Sequence, residues 1–164
     1  MPTTTTTPLP PLKEIRDLLT GLVGRGCTAE RAAAPLSPDA PGIVAATYVS
    51  GRAQVEAVVG VDLALGAALG AAIGLMPPGP AQGAAADGAL SDVLLENLVE
   101  VLNVLASLFN AEGATHLRLA EVFDSARRPL PGAPVAFLRG GGRRLDAVVD
   151  VAGYGGGTLT VVLA

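Results

Sequence analysis

Cysteine, histidine and lysine each occur once in this chain of 164 residues, and tryptophan does not occur. With Cys27 alone, no disulfide can close within the chain. With His116 as the one histidine, no Cys/His zinc site can be assembled from it, and no metal site is expected. A Ser-His-Asp or Cys-His arrangement would have to recruit His116, which lies in an alternating run that reads as a strand. A plain strand histidine is the simpler reading. Aromatic residues are confined to Tyr48, Phe109, Phe123, Phe137 and Tyr154, although half of the residues are apolar. The core is therefore expected to consist of Ala, Val and Leu, with close backbone approaches at glycine. Basic side chains are also scarce: Lys13 and ten arginines face 15 acidic residues, for a net charge of −4. That balance gives no electrostatic reason to expect nucleic acid or an anionic membrane as partner. The bias toward Arg, Ala, Gly and Pro reads as genomic composition. The N-terminus has no basic n-region of a secretory signal, so a cytoplasmic location is the expectation.

One segment imitates a membrane span. Ala57 to Met76, AVVGVDLALGAALGAAIGLM, has about the right length. Asp62 interrupts it, which is costly in hydrocarbon. The better reading splits it into a strand, Val55 to Val61, an N-cap at Asp62, and a helix from Leu63 to Leu75 stopped by Pro77 and Pro78. Gly66, Gly70 and Gly74 recur along one face of that helix. In a soluble protein this spacing predicts close packing against another helix or a sheet.

The length fits one domain with a single core. Residues 1–11, rich in Thr and Pro, read as a flexible tail, and residues 12–164 as the domain. Leu12 to Val23 has helical spacing. The glycine-rich run that follows, GLVGRG, comes after a helix instead of a strand and does not fit a phosphate-binding loop. Residues 28–42 read as a Pro/Ala loop. Ile43 to Val49 and Gln54 to Val61 form a hairpin around Ser50, Gly51 and Arg52. After the glycine-bearing helix, Pro77 to Gly88 reads as a linker. Thr115 to Phe123 alternates as a strand, and Arg127 to Pro134 is a proline-rich connection. Val135 to Leu138 fits a short strand or a single helical turn. Gly140 to Gly142 make a turn. Arg144 to Ala152 and Thr158 to Leu163 form a last hairpin across Gly153 to Gly157. Arg127-Arg128 and Arg143-Arg144 read as solvated turn residues, and Asp146 and Asp150 as the wet face of a strand. Helix, hairpin, two helices and then three or four strands imply an α+β layer fold.

Between these elements lies the most unusual stretch, Asp92 to Asn110, DVLLENLVEVLNVLASLFN. It reads as one helix with Ser91 as N-cap and Asp92 in its first turn. At 100° per residue, Asp92, Glu96, Glu100, Asn103, Ser107 and Asn110 fall within an arc of about 80°, with Asn97 just off it. Nearly everything else is Val, Leu, Ala or Phe. An ordinary surface helix has a broad polar face; this one must be packed over most of its circumference and keeps its polar groups in one row.

The element order, the start Ala89-Leu90-Ser91 and the pattern Glu100-Val101-Leu102-Asn103 together resemble the CheC/CheX/FliY group of bacterial chemotaxis proteins, and CheX most closely. The likeness runs from about Leu12 to the C-terminus. It implies long helices packed on an extended, mainly antiparallel sheet. It also implies a phosphatase that hydrolyses the aspartyl phosphate of a CheY-like response regulator, with Glu-x-x-Asn as the active pair. Such chemistry suits these residue types. An aspartyl phosphate is already reactive, so the catalyst needs only to orient a water in line with phosphorus and to dock the regulator. Glutamate and asparagine at i and i+3 point the same way from a helix. The resemblance implies that Asn103 orients the water and that Glu100 pairs with a regulator lysine. Asp92, Glu96, Asn97 and Ser107 would complete the partner-facing set. It implies no cofactor of the chain's own; the Mg2+ of the reaction belongs to the response regulator.

The chain departs from the family pattern in two ways. Leu102 stands where members often carry glycine before the asparagine. Counting from the Ala-Leu-Ser start favours a second register, in which Glu96 is the family glutamate and Val99 replaces the asparagine. Valine cannot orient water, so that register implies a docking protein without catalysis. In that reading Asp92, Glu96 and Glu100 form an acidic docking stripe. A third reading is a homodimer through strand edges or through the Gly66/Gly70/Gly74 face.

Overall fold

The computed structural model describes residues 6–140 and 142–164. The chain runs α1 (Leu12–Val23), β1 (Cys27–Arg31), β2 (Val44–Val49), β3 (Val55–Val61), α2 (Leu63–Ile73), α3 (Pro78–Asp87), α4 (Asp92–Leu105), a 3₁₀ turn (Ala106–Phe109), β4 (Arg118–Asp124), α5 (Gly132–Arg139), β5 (Arg144–Val151) and β6 (Gly155–Leu163). The strands form one sheet in the order β1-β5-β6-β3-β2-β4, and every neighbouring pair is antiparallel. The α+β class and the extended antiparallel sheet are those expected from the sequence.

Alternation along the central strands separates two faces. Val44, Ala46 and Tyr48 of β2, Ala57, Val59 and Val61 of β3, and Leu159, Val161 and Leu163 of β6 share the main core with α1, α2, α3 and α4. Ala45 and Val58 point the other way, against Leu36, Ile43 and Leu138 of α5. The main helical layer thus lies on one face and the short α5 on the other. Among the described residues no helix is long and apolar enough to cross a membrane. As split at the sequence level, Asp62 caps α2, its carboxylate accepting from the Leu65 amide at 2.9 Å. The same carboxylate accepts from the Thr158 amide at 2.9 Å, which ties the start of α2 to β6.

The predicted glycine packing is present, and its partner is α4. A Cβ at Gly66 would lie 3.2 Å from Leu98, and one at Gly70 would lie 2.6 Å from the Leu94 carbonyl oxygen. A Cβ at Gly74 would collide with the Asn97 amide. The Asn97 side chain donates to the Gly70 carbonyl at 3.0 Å across the same seam.

Other expectations need correction. The supposed loop 28–42 begins with strand β1, which pairs with β5 along Cys27↔Val151 to Arg31↔Ala147. Only Cys27 of this edge strand is buried, so its own pattern carries little signal and the pairing is supplied by β5. The supposed linker 77–88 contains α3. Pro78 occupies its first turn, where a missing N–H costs nothing, and Ala81 and Ala84 bury against the core despite Gly79 and Gly83. The undecided segment 135–138 is helical, within α5. Strand β4 starts at Arg118, so His116 precedes it and is exposed.

Arg144 and Asp146 are not solvated. They form an ion pair at 2.9 Å with each side chain 14% exposed. Arg144 also donates to the carbonyls of Leu138 at 2.8 Å and Gly140 at 2.6 Å. Asp146 accepts from the Leu36 amide at 3.1 Å and from the Thr160 hydroxyl. The pair therefore stitches the end of α5 and the 32–43 connection to the second face. Asp150 is exposed, as expected of a wet face. The turn assigned to Gly140–Gly142 includes Gly141, which lies outside the described residues. Of the segment read as a tail, residues 1–5 also lie outside them. Leu9 packs on the core, Pro10 is buried, and the Thr7 carbonyl accepts from Arg143 at 2.7 Å.

Two measurements probe this architecture. Gly70→Ala places a methyl against backbone that cannot move aside and should cost about 2–3 kcal/mol in urea unfolding. Gly83→Ala, in open space within α3, should instead gain about 0.5–1 kcal/mol. Burial alone would raise the Asp146 carboxyl. Hydrogen bonds from Arg144, Thr160 and the Leu36 amide, with the Arg144 charge, outweigh it and hold the carboxyl below its ordinary value. A depressed carboxylate stabilises the fold above its unfolded value of about 3.9 and ceases to do so as pH falls through the lower folded value. Asp146→Asn should therefore flatten the loss of thermal stability on acidification below about pH 4 while lowering stability at neutral pH.

Candidate functional site

Helix α4 is fixed at both ends. At its start, the Ser91 hydroxyl accepts from the Leu94 amide at 3.3 Å, the predicted N-cap. Asp92 pairs with Arg127 at 2.7 Å. Arg127 also reaches Asp124 at 3.2 Å and the Leu90 carbonyl at 3.2 Å, so it braces the start of α4 to the end of β4. Its guanidinium is held above its usual range by Asp92 first and by Asp124 after it. Arg127 is thus a connecting residue, not a free turn residue.

At its other end the helix tightens. The Ala106 amide reaches back three residues to the Asn103 carbonyl, and a 3₁₀ turn continues to Phe109. This leaves the Leu102 carbonyl without its ordinary i+4 donor. The Tyr48 hydroxyl of β2 supplies the missing bond at 2.6 Å, in a fully buried position. Phe109 packs edge-on to Tyr48, with ring centroids 5.2 Å apart and planes at 61°. Burial pushes the Tyr48 hydroxyl far above its ordinary value, so it remains a donor. Asn110 then clamps Leu117, accepting from its amide at 2.8 Å and donating to its carbonyl at 3.2 Å.

Between these anchors, Leu94, Leu98, Val101, Leu102 and Leu105 bury one side of α4. Asp92, Glu96, Glu100, Asn103 and Ser107 are exposed on the opposite side, in the single row read from the sequence. Asn97 does not join the row. It is half-buried and its amide is committed to the α2 seam, which makes it a packing residue instead of a partner-facing one. Asn110 likewise belongs to the clamp on Leu117. Val99, the valine of the second register, is half-buried beside the row.

Among the described residues, neither Glu100 nor Asn103 makes a side-chain hydrogen bond or ion pair. Glu96 shares that freedom. The row stands on a convex helix face; Glu96, Glu100 and Asn103 line none of the principal cavities, and only Ser107, at the end of the row, borders one, beside Leu18 and Asn110. Such a face cannot enclose a small substrate. It can present a carboxylate and an amide, one helical turn apart, to a reactive group carried by another protein. Donors spaced one per turn on a convex face do not converge on one cation, and no group of three or more His, Cys, Asp or Glu suited to a metal occurs among the described residues. Cys27 is buried, and that burial pushes its thiol up, away from the reactive thiolate.

The sequence matches no protein-family model and no curated protein. Solved structures do match the fold. The FliM middle domain from Vibrio alginolyticus superposes with a TM-score of 0.58 at 9% identity, over 93% of this chain and 87% of that one. FliY from Thermotoga maritima gives 0.56 at 13% identity, over 91% and 81%. The FliM middle domain from H. pylori gives 0.55 at 9% identity, over 93% and 84%. The chain therefore has the fold expected from the CheC/CheX/FliY resemblance, and at these identities the likeness establishes the fold alone. A chain of the CheX–CheY–BeF3–Mg2+ complex from Borrelia burgdorferi gives 0.47 at 8% identity, too distant to weigh in the argument.

The residues that sequence reasoning missed are Tyr48 and Arg127. Tyr48 had a signal: a phenolic hydroxyl in a mostly apolar strand, which must find a partner when buried. Arg127 had little, because two of its three partners, Leu90 and Asp92, lie far away in sequence at the start of α4. Tyr48→Phe should cost about 1–2 kcal/mol, the penalty for an unpaired buried carbonyl. Hydrogen exchange should show the loss concentrated in the last turn of α4. An equal loosening at the Ser91 end would contradict the anchoring role.

Proposed function

We propose that this chain acts on the receiver domain of a CheY-like response regulator and hydrolyses its aspartyl phosphate. The observation that supports the reading most is the free pair Glu100 and Asn103, exposed on a helix held rigidly at both ends. Asn103 carries the amide that orients the attacking water without adding charge at phosphorus. Glu100 pairs with a lysine of the receiver and sets the register of docking. Glu96 and Ser107 extend the same contact along the row, and Asp92 marks its N-terminal limit. The Mg2+ of the reaction is part of the phosphorylated receiver, the substrate.

A second reading has its own support. In the register set by Ala89-Leu90-Ser91, the position of the catalytic amide is Val99, a half-buried valine. The FliM middle domains that share this fold include H. pylori FliM in complexes with FliG and with SpeE. By that analogy, the acidic row binds its partner without turnover.

One assay separates the two. Decay of the phosphorylated receiver is followed with and without the protein. The phosphatase reading predicts acceleration that Asn103→Ala lowers by about 100-fold, or to the receiver's own rate, with binding retained. Binding with an unchanged phosphate lifetime favours the docking reading. Full turnover by the Asn103 variant removes the catalytic assignment.

A further inference from the structure

Helix α2 ends at Gly74, and the chain turns at Leu75 with a left-handed φ of 55°. The Leu75 amide donates to the Ala72 carbonyl at 3.2 Å, and the Met76 amide to the Ala71 carbonyl at 2.9 Å. These two bonds define a helix stop whose left-handed position normally belongs to glycine. Here it is a leucine, and the glycine stands one residue earlier. Leucine in this conformation is strained. Among the described residues no side-chain packing offsets that strain, because Leu75 is 88% exposed. The turn is not loose: the Tyr154 hydroxyl donates to the Met76 carbonyl, and Gly74 and the Met76 sulfur lie against Asn97.

Asn97 places this knob beside the candidate site. Glu100 follows Asn97 by three residues and Val93 precedes it by four, so both rise next to it on α4. Val93 is itself 53% exposed. Two of the three large apolar residues most exposed among the described ones therefore border the polar row. The turn has one cation nearby, Arg25, whose guanidinium lies 5.5 Å from the centre of the Tyr154 ring, whereas the charges of α4 itself are all acidic. From Ala53 to Leu117 there is no lysine or arginine, while Glu56, Asp62, Asp87, Asp92, Glu96, Glu100 and Glu112 are acidic. Arg127, which reaches this region from outside, is taken up by Asp92 and Asp124.

We propose that Leu75 is an apolar anchor that inserts into a cleft of the receiver domain, next to the basic side chain that meets Glu100. The occupant is a folded protein surface with an apolar cleft bordered by lysine or arginine. The acidic row of α4, Asp92, Glu96 and Glu100, complements that surface and disfavours anionic lipid. This inference rests on the receiver-binding reading of the row.

The test titrates the receiver domains encoded with this chain, in their BeF3-activated form, against wild type, Leu75→Gly and Leu75→Asn. Both replacements accept the left-handed backbone and remove the apolar side chain. Affinity should fall by about tenfold or more in each. The melting temperature should stay level or rise, most for Leu75→Gly. Unchanged affinity in both variants overturns the anchor and leaves the functional reading standing. A change in self-association with receiver affinity unchanged assigns the knob to a second copy of this chain and also overturns it. If no receiver binds wild type, the functional reading falls and the anchor with it.

Discussion

The contact on which the rest depends is the approach of α2 to α4 at Gly70. With a Cβ position only 2.6 Å from the Leu94 carbonyl oxygen, the two helices touch backbone to backbone. Gly66 and Gly74 extend that contact along the seam, and Asn97 bridges it with a hydrogen bond to the Gly70 carbonyl. A chain with few aromatics has no large side chains to fill a wider gap. It closes the gap instead, and so reaches the packing density that a protein interior requires.

This closeness decides what α4 can show to solvent. Leu94, Leu98, Val101, Leu102 and Leu105 are consumed by the core. The row from Asp92 to Ser107 is what remains, and it is held stiffly. Tyr48 fills the Leu102 carbonyl where the helix tightens, and Arg127 braces the other end. A convex, rigid face with a free carboxylate and a free amide is poorly suited to enclosing a metabolite. It suits a reaction whose electrophile and metal arrive on a partner's surface, because the chain then has only to orient groups that are already in place. The strained Leu75 belongs to the same logic, since the fold gains nothing from it.

Much of this was legible in the sequence. The period of Asp92–Asn110 placed the exposed row correctly, and the four-residue glycine spacing announced a close seam. Apolar runs flanking turn residues gave the β2–β3 and β5–β6 hairpins, and alternation gave β4. What escaped was held by partners distant in sequence. β1 is a strand because β5 offers it a ladder, and α3 is a helix because Ala81 and Ala84 find a core to bury in. Arg144 and Asp146 looked like surface charges because nothing local reveals that α5 and Leu36 close over them. Asn97 looked like a site residue because it is polar and lies about 60° from Glu100 around the helix, and periodicity gives that direction but not the neighbour that lies there.

The central claim is that the exposed row of α4 is the surface that meets a receiver domain. Backbone amide shifts recorded while BeF3-activated receiver is added test it most directly. The account predicts perturbations centred on Glu96, Glu100, Asn103 and Ser107, reaching Leu75 across the seam, with the β1 edge and α5 unchanged. Perturbations confined to a sheet edge or to α5, with α4 silent, would contradict it.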